Sequence, residues 1–302
     1  MMKIAGLFPG QGSQATGMGK AFYDGSEEAK EIFYAADKAL GFSLSQLCFN
    51  GPIEELTLTK NAQPAILLVS TVAFRLAGLQ LDCAAGHSLG EYSALVAAGA
   101  LNFEDAIQLV HKRGSYMQEA VQPGAGKMLA VMGPTPEEIA EVTAMVTAGT
   151  VEAANFNSPG QTVVAGDVAG VDAFAELMTA RGAKVIPLNV SAPFHCRLMD
   201  PAKLKLEADL ASITINAPRF PVYSNVTAKA HTTTDEIRNL LAAQVTASVQ
   251  WTNSMVNMIE GEGVTNAVEF GAGGVLSKLL KRINKDVKRC EVDSPEALPV
   301  KL

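Results

Sequence analysis

CAAGHSLGEYSALVAAGAL, residues 83–101, reads as strand, turn and helix in succession. Cys83, Ala84 and Ala85 have the character of a short apolar strand, Gly86 to Gly90 that of a tight turn, and the run from Glu91 that of a helix. A strand passing through a sharp turn into a helix is the unit of an α/β layer fold. The preceding chain agrees: a strand at 3–8, a glycine loop, then helical stretches at 27–40 and 64–78 predict a mostly parallel sheet. Near 126 the texture changes. KMLAVMG reads as a strand, TPEEIAEVTAMV as a helix, VEAANFNSPGQTVVAG as two strands about a Ser-Pro-Gly turn, DVAGVDAFAELMTARG as a helix and AKVIPLNV as a strand. That βαββαβ order closes as a ferredoxin-like sandwich. Residues 126–190 are therefore predicted to form a domain inserted into a larger one made of 1–125 and 191–302, which resumes near Ser191. The larger part continues with a helix around 200–211, a strand at FPVYSNV, helices from Asp235 and after Trp251, a strand at NAVEFG and a last helix at GVLSKLLKRI.

Composition narrows the function classes. Of the 302 residues 48% are hydrophobic and 18% charged, which supplies a core and is too apolar for disorder. A net charge of −7 argues against a broad nucleic-acid surface. Cys48, Cys83, Cys196 and Cys290 are scattered without a Cys-x-x-Cys pair, as reduced thiols of a cytoplasmic protein are, and predict neither disulfides nor a metal site. IAGLF before Pro9 is too short for the core of a signal peptide. PAILLVSTVAF, residues 64–74, falls short of the roughly 20 residues that cross a bilayer, so it reads as a buried helix and no membrane is expected.

Ser88, with Gly86 and Gly90 two residues to either side, fits a nucleophile elbow, in which a sharp turn exposes the serine Oγ at a helix N-terminus. Such a hydroxyl needs a base within hydrogen-bond reach. His87 adjoins Ser88 on the turn and points away from it, which suits it to bracing the elbow. His111, inside EDAIQLVHKRGSYM, reads as a solvated or half-buried helical residue, and His231, in KAHTTTDE, as an exposed loop residue. His195 stands in SAPFHCR, in a loop after the last strand of the insert, and follows the serine in the order of α/β hydrolases. Cys196 beside it reads as a buried, inert thiol. No acid stands out between Ser88 and His195, but a carbonyl or amide also fixes an imidazole tautomer.

Arg113 is the other anomaly. Ala106, Leu109, Val110, Arg113 and Met117 recur at helical spacing on one face, which puts a guanidinium in an apolar stripe. It must find an anion there, either a carboxylate of the protein or one carried by a ligand. FPGQGSQA, residues 8–15, has the Gly-x-Gly-x-x-Ala spacing of a dinucleotide loop, but a helical stretch, SEEAKEIFYAADKALG, stands where that motif needs a second strand ending in an acid. GAGK at 124–127 is no phosphate loop either, since Val121 and Met128 occupy the positions of its first glycine and its Ser or Thr. The first loop can instead offer backbone N–H groups to an oxyanion that exists only during acyl transfer.

FPGQGSQ, GHSLGEY, HKRG, APFH and VQW, in this order along nearly the whole chain, resemble the malonyl-CoA:acyl-carrier-protein transacylase group of the acyltransferase family. The resemblance implies an α/β-hydrolase-like large domain with a ferredoxin-like insert, and ping-pong transfer of malonyl from malonyl-CoA to the phosphopantetheine thiol of acyl carrier protein in fatty acid synthesis, without a resident cofactor. It implies Ser88 as the acylated nucleophile, His195 as its base, the backbone amides of Gln11 and Leu89 as the oxyanion hole, and Arg113 as the grip on the malonyl carboxylate. Gln250, in SVQW, matches the position whose neighbourhood orients the histidine through a carbonyl, and Asn155 to Pro159 fall near the acyl pocket. Phe194, before the histidine, would crowd a branched acyl group. In the basic run KLLKRINKDVKR, Lys281, Arg282 and Lys285 read either as a solvated helix face or as a surface that meets the acidic carrier. Competing readings are a trans-acting acyltransferase of a polyketide synthase, a serine thioesterase or esterase, and a non-enzymatic carrier-binding protein. The buried arginine and the insert, which narrows the pocket, weigh against hydrolysis.

Overall fold

A computed structural model of the chain describes residues 2–190 and 192–302; Ser191, where the larger domain is predicted to resume, lies outside them, as does Met1. Nine strands occur among the described residues: β1 (Ile4–Phe8), β2 (Cys83–Gly86), β3 (Gly126–Met132), β4 (Val151–Ser158), β5 (Gln161–Asp167), β6 (Lys184–Pro187), β7 (Val222–Tyr223), β8 (Asn266–Phe270) and β9 (Lys288–Val292). They form two sheets. The first has the order β7-β2-β1-β8-β9 and every pairing in it is parallel. All residues of β1, β2 and β8 are buried, which explains why IAGLF and CAAG are apolar runs rather than alternating ones: helices cover both faces. The second sheet, β4-β5-β3-β6, is antiparallel and has the strand order of a ferredoxin-like sandwich. In β3, Leu129 and Val131 face the core shared with Val171 and Phe174, while Met128 and Ala130 join the core of the larger part. Period-two alternation thus uses both faces of one strand.

The sheets meet where the chemistry lies. Phe156 N–H donates to the carbonyl of Val249 at 2.9 Å and Val249 N–H to that of Ala154 at 2.8 Å, which stitches β4 to the segment before Trp251. Elsewhere the structure departs from the sequence reading at several elements. Short helices at Lys20–Gly25, Leu44–Asn50 and Ile53–Thr57 have no counterpart in it, and AKVIPLNV contributes only Lys184–Pro187. The helix predicted from residue 64 begins at Thr59, with Pro64 inside it. Pro64 has no N–H for the carbonyl of Lys60, and the ring of His111 takes that carbonyl instead, its Nδ1 donating at 2.8 Å. FPVYSNV contributes two strand residues, not seven. The basic run is split: its helix, Val275–Ile283, ends before Lys285, and Lys288 and Arg289 belong to the edge strand β9. Among the described residues no helix is long and apolar enough to cross a membrane.

Candidate active site

β2 ends at Gly86, and the helix Gly90–Ala97 starts two residues after Ser88. Ser88 itself carries the left-handed backbone of the turn, at φ 51°. The flanking glycines serve close approach instead: a Cβ on Gly86 would lie 1.9 Å from the Gly90 carbonyl, and one on Gly90 1.9 Å from the Phe8 carbonyl oxygen. A Cβ on Gly10 would lie 2.4 Å from the His87 carbonyl oxygen, so the FPGQGSQA loop is pressed against the elbow by backbone alone. Left-handed backbone in a non-glycine residue costs about 1–3 kcal/mol and persists where surroundings over-determine it. Here Asn225 does so, its Oδ1 accepting from Ser88 N–H at 2.6 Å and its Nδ2 donating to the Gly86 carbonyl at 2.7 Å.

His195 Nε2 lies 2.8 Å from Ser88 Oγ, and its Nδ1 lies 2.8 Å from the carbonyl oxygen of Gln244. A carbonyl only accepts, so Nδ1 carries the proton and Nε2 turns its lone pair to the hydroxyl. Burial, and next the charge of Arg113, lower the His195 pKa to about 3, and the Gln244 bond opposes this only in part. A neutral imidazole held in this orientation can act as a base toward Ser88. The carbonyl that orients it belongs to Gln244 and not to the neighbourhood of Gln250, which corrects the expectation from sequence. Gln250 lines a separate cleft with Phe156 and Thr252, and its Oε1 accepts from Asn253.

Arg113 is 1% exposed. Its Nη1 donates to Gln63 Oε1 at 2.7 Å, and its Nη2 to Gln244 Oε1 at 2.9 Å and to Ser88 Oγ at 3.2 Å. The guanidinium lies 5.4 Å from the centre of the Tyr92 ring. Among the described residues no carboxylate pairs with it. Of the two anions that the sequence leaves open, the protein's own is not in contact. The arginine is set in place by close helix packing: Gly114, next to it, lies against the backbone of Thr59 and Lys60, where a Cβ would come within 2.5 Å of the Thr59 carbonyl oxygen.

Ser88, His195, Arg113 and Gln63 border one cavity of about 280 Å³, which Gln11, Leu89, Asn155, Asn157 and Phe194 also line. Among the described residues the backbone N–H groups of Gln11 and Leu89 have no acceptor, whereas that of Ser88 is taken by Asn225. Two free donors beside a serine, one in the loop after β1 and one at the start of the elbow helix, can hold an oxyanion. Asn157 Oδ1 lies 2.8 Å from His87 Nε2, and the His87 ring packs on Trp251, so His87 braces the elbow. Of Asn155 to Pro159 only Asn155 and Asn157 line this cavity; Phe156, Ser158 and Pro159 line the separate cleft instead. The Cys196 thiol is buried, donates to the Pro193 carbonyl, and is pushed up to about 12 by burial. His231 is not exposed: it is buried, with Nε2 2.9 Å from Glu91 Oε1. The loop's polar letters hide a histidine that turns inward to a buried acid. Sequence reasoning missed Gln63, Gln244, Asn225 and Glu91. Only Glu91 gave a signal, as the sole acid in the apolar run after the elbow.

The helix Val275–Ile283 reaches the cavity with Val275, Leu276 and Leu279, and its outer face carries exposed Lys278, Lys281 and Arg282, the last donating to Gln161 at 2.7 Å. Comparison with known proteins finds relatives that cover nearly the whole chain. Residues 7–292 match the acyl transferase domain family. The chain is 47% identical to a malonyl CoA-acyl carrier protein transacylase of Bacillus subtilis, over 99% of this chain and 96% of that protein. It superposes with a TM-score of 0.94 on the malonyl CoA-acyl carrier protein transacylase of Clostridium perfringens, at 43% identity over 98% of this chain and 95% of that one. A malonyl-transacylase in complex with a type II PKS acyl-carrier protein superposes with a TM-score of 0.95, at 40% identity over 98% and 97%. The chain belongs to the acyl transferase family.

Proposed function

We propose that this chain transfers malonyl from malonyl-CoA to the phosphopantetheine thiol of an acyl carrier protein, supplying fatty acid synthesis, through a malonyl-Ser88 intermediate. One observation carries the substrate class: Arg113 Nη2 sits 3.2 Å from Ser88 Oγ with no carboxylate of its own. A guanidinium that close to the nucleophile suits a carboxylate only one carbon beyond the reacting carbonyl, as in malonyl, and not one at the end of a longer chain. His195 Nε2 takes the proton as Ser88 Oγ attacks the thioester, and the tetrahedral oxyanion faces the N–H groups of Gln11 and Leu89. Collapse breaks the C–S bond, and His195 returns the proton to the departing coenzyme A thiolate. The carrier thiol then enters by the reverse steps. A thiolate leaves more readily than an amine, which suits a dyad supported by a carbonyl. The reaction needs no resident cofactor. On this reading Lys281 and Arg282, on the helix that borders the cavity, with Lys285 just beyond it, meet the acidic carrier.

Intact-mass spectrometry after incubation with malonyl-CoA, and then with a holo carrier protein, tests the reading. A malonyl adduct that appears on the wild type, moves to the carrier and is absent from folded Ser88→Ala supports it. An adduct that persists in Ser88→Ala, or that water removes as fast as the carrier does, overturns it.

A further inference from the structure

Glu91 follows the elbow directly, is fully buried, and takes no part in the steps above. Its Oε1 accepts from His231 Nε2 at 2.9 Å, and its Oε2 accepts from Asn225 N–H at 3.0 Å and from Gln244 Nε2 at 2.7 Å. Gln244 is the junction of the site. Its Nε2 donates to Glu91 and to the Ser88 carbonyl at 3.0 Å, its Oε1 accepts from Arg113, and its backbone carbonyl holds His195. A side-chain amide has two ends of similar shape, and hydrogen bonds decide which way it faces. Turned over, Gln244 would set its NH₂ against the N–H groups of Arg113 and its oxygen against a carboxylate and a carbonyl. Glu91, together with Arg113 and the Ser88 carbonyl, makes the observed orientation the satisfied one, and it supplies the charged acceptor. Through the Asn225 N–H the same carboxylate also holds the residue that clamps Ser88 and Gly86.

We propose that Glu91, itself held by His231, is a positioning residue for recognition of the acyl carboxylate: it locks Gln244 so that Arg113 keeps its guanidinium at Ser88. It also places a negative charge behind the arginine, one amide away, without covering the face that a substrate carboxylate needs. The proposal rests on the role given to Arg113 above. A purely structural Glu91 would, when altered, slow loading of every acyl group alike. A Glu91 that sets the arginine would change the preference between acyl groups.

The test is the ratio of Ser88 loading rates from malonyl-CoA and acetyl-CoA, read by intact mass, in Glu91→Gln, Arg113→Ala and the double variant. Gln at 91 keeps the shape, but its NH₂ end cannot accept: it either faces the N–H groups of Asn225 and Gln244 or faces His231 and forces that ring to its other tautomer, and in either case Gln244 loses its charged acceptor. The malonyl-to-acetyl ratio is expected to fall about tenfold, the scale of one hydrogen bond to a charged group, with acetyl loading changed less than about threefold. In the Arg113→Ala background Glu91→Gln should change the ratio no further. His231→Phe, which removes the donor and keeps a planar ring, should shift the ratio the same way by about threefold, and it decides the matter if Glu91→Gln does not fold. A folded Glu91→Gln with an unchanged ratio overturns the proposal, provided Arg113→Ala collapses it. If Arg113→Ala also leaves the ratio unchanged, it is the reading of Arg113 that fails, and this proposal with it.

Discussion

Replacing Arg113 by alanine separates a dicarboxylate-selective transferase from a general acyl enzyme. The guanidinium satisfies Gln63 Oε1 and Gln244 Oε1, both buried, so its loss strands two acceptors. At about 1–3 kcal/mol each this costs about 2–6 kcal/mol of stability, reduced by whatever water enters the vacated volume. The effect on malonyl loading is separate. A substrate carboxylate held in this cavity without its partner is penalised by about 3–5 kcal/mol, which lowers kcat/KM for malonyl-CoA by about 10² to 10⁴. Acetyl-CoA has no carboxylate to strand, so its slow loading should fall little or rise. Arg113→Lys keeps the charge but has one nitrogen to serve Gln63, Gln244 and a carboxylate, and should recover only part of the loss. The assay is acyl loading of Ser88 from each thioester, with circular dichroism and a thermal melt to report folding. Equal proportional loss for malonyl and acetyl in a folded Arg113→Ala would refute the argument, because the arginine would then serve structure alone.

The pH dependence of loading should show an acid limb well below the ordinary imidazole value of about 6.5, since burial and Arg113 hold the His195 pKa near 3; a limb at the ordinary value would mean that His195 is not the base. The same shift bears on stability. Between the two values the unfolded chain binds a proton that the folded one does not, so this contribution, present above the ordinary range, should be lost as pH falls toward 3 in acid unfolding curves. Reversing Lys281 and Arg282 to Glu should slow malonyl transfer to the carrier, most at low salt, and leave transfer to a small pantetheine thiol unchanged; equal slowing of both acceptors would remove the docking role. Gly90→Ala, whose Cβ would fall 1.9 Å from the Phe8 carbonyl oxygen, should push the elbow helix off β1 and abolish loading, with a fall in Tm; wild-type loading would show that the close approach is not needed.

Most of the architecture was legible because its signals are local. β1 and β2 are apolar runs bounded by glycine, and the insert's βαββαβ order leads to the antiparallel sheet found. The elements that escaped lack such signals. β9 reads KRCEV, with charges on an edge strand that solvent tolerates, and the first turns of the helix Thr59–Ala77 hide behind Pro64. At the site, Ser88, His195 and Arg113 stood out because a hydroxyl between glycines, a histidine after Pro193 and a cation in an apolar stripe each violate their surroundings. Gln244 violates nothing. Its contribution to His195 is a backbone carbonyl, which any residue could supply, and its contribution to Arg113 exists only once distant helices pack. His231 was misread for a related reason: a polar loop is exposed by default, and only the buried Glu91 reverses that default.

The neutrality of the groups around Arg113 has a consequence for selectivity. Gln63 and Gln244 hold the guanidinium in place without cancelling its charge, and that charge acts against protonation of His195. On the proposed mechanism His195 carries the proton of Ser88 in the tetrahedral transition state, and an arginine with no carboxylate in contact, its nearest negative charge one amide behind it at Glu91, raises that barrier. On that mechanism a malonyl carboxylate on Arg113 would bring an anion into contact as the imidazolium forms, and an acetyl group would not. If Arg113 binds the carboxylate, the same arginine discriminates twice, in that binding and in the basicity it permits His195, and the second effect exists only in the transition state, where it raises the rate of the chemical step and not merely affinity.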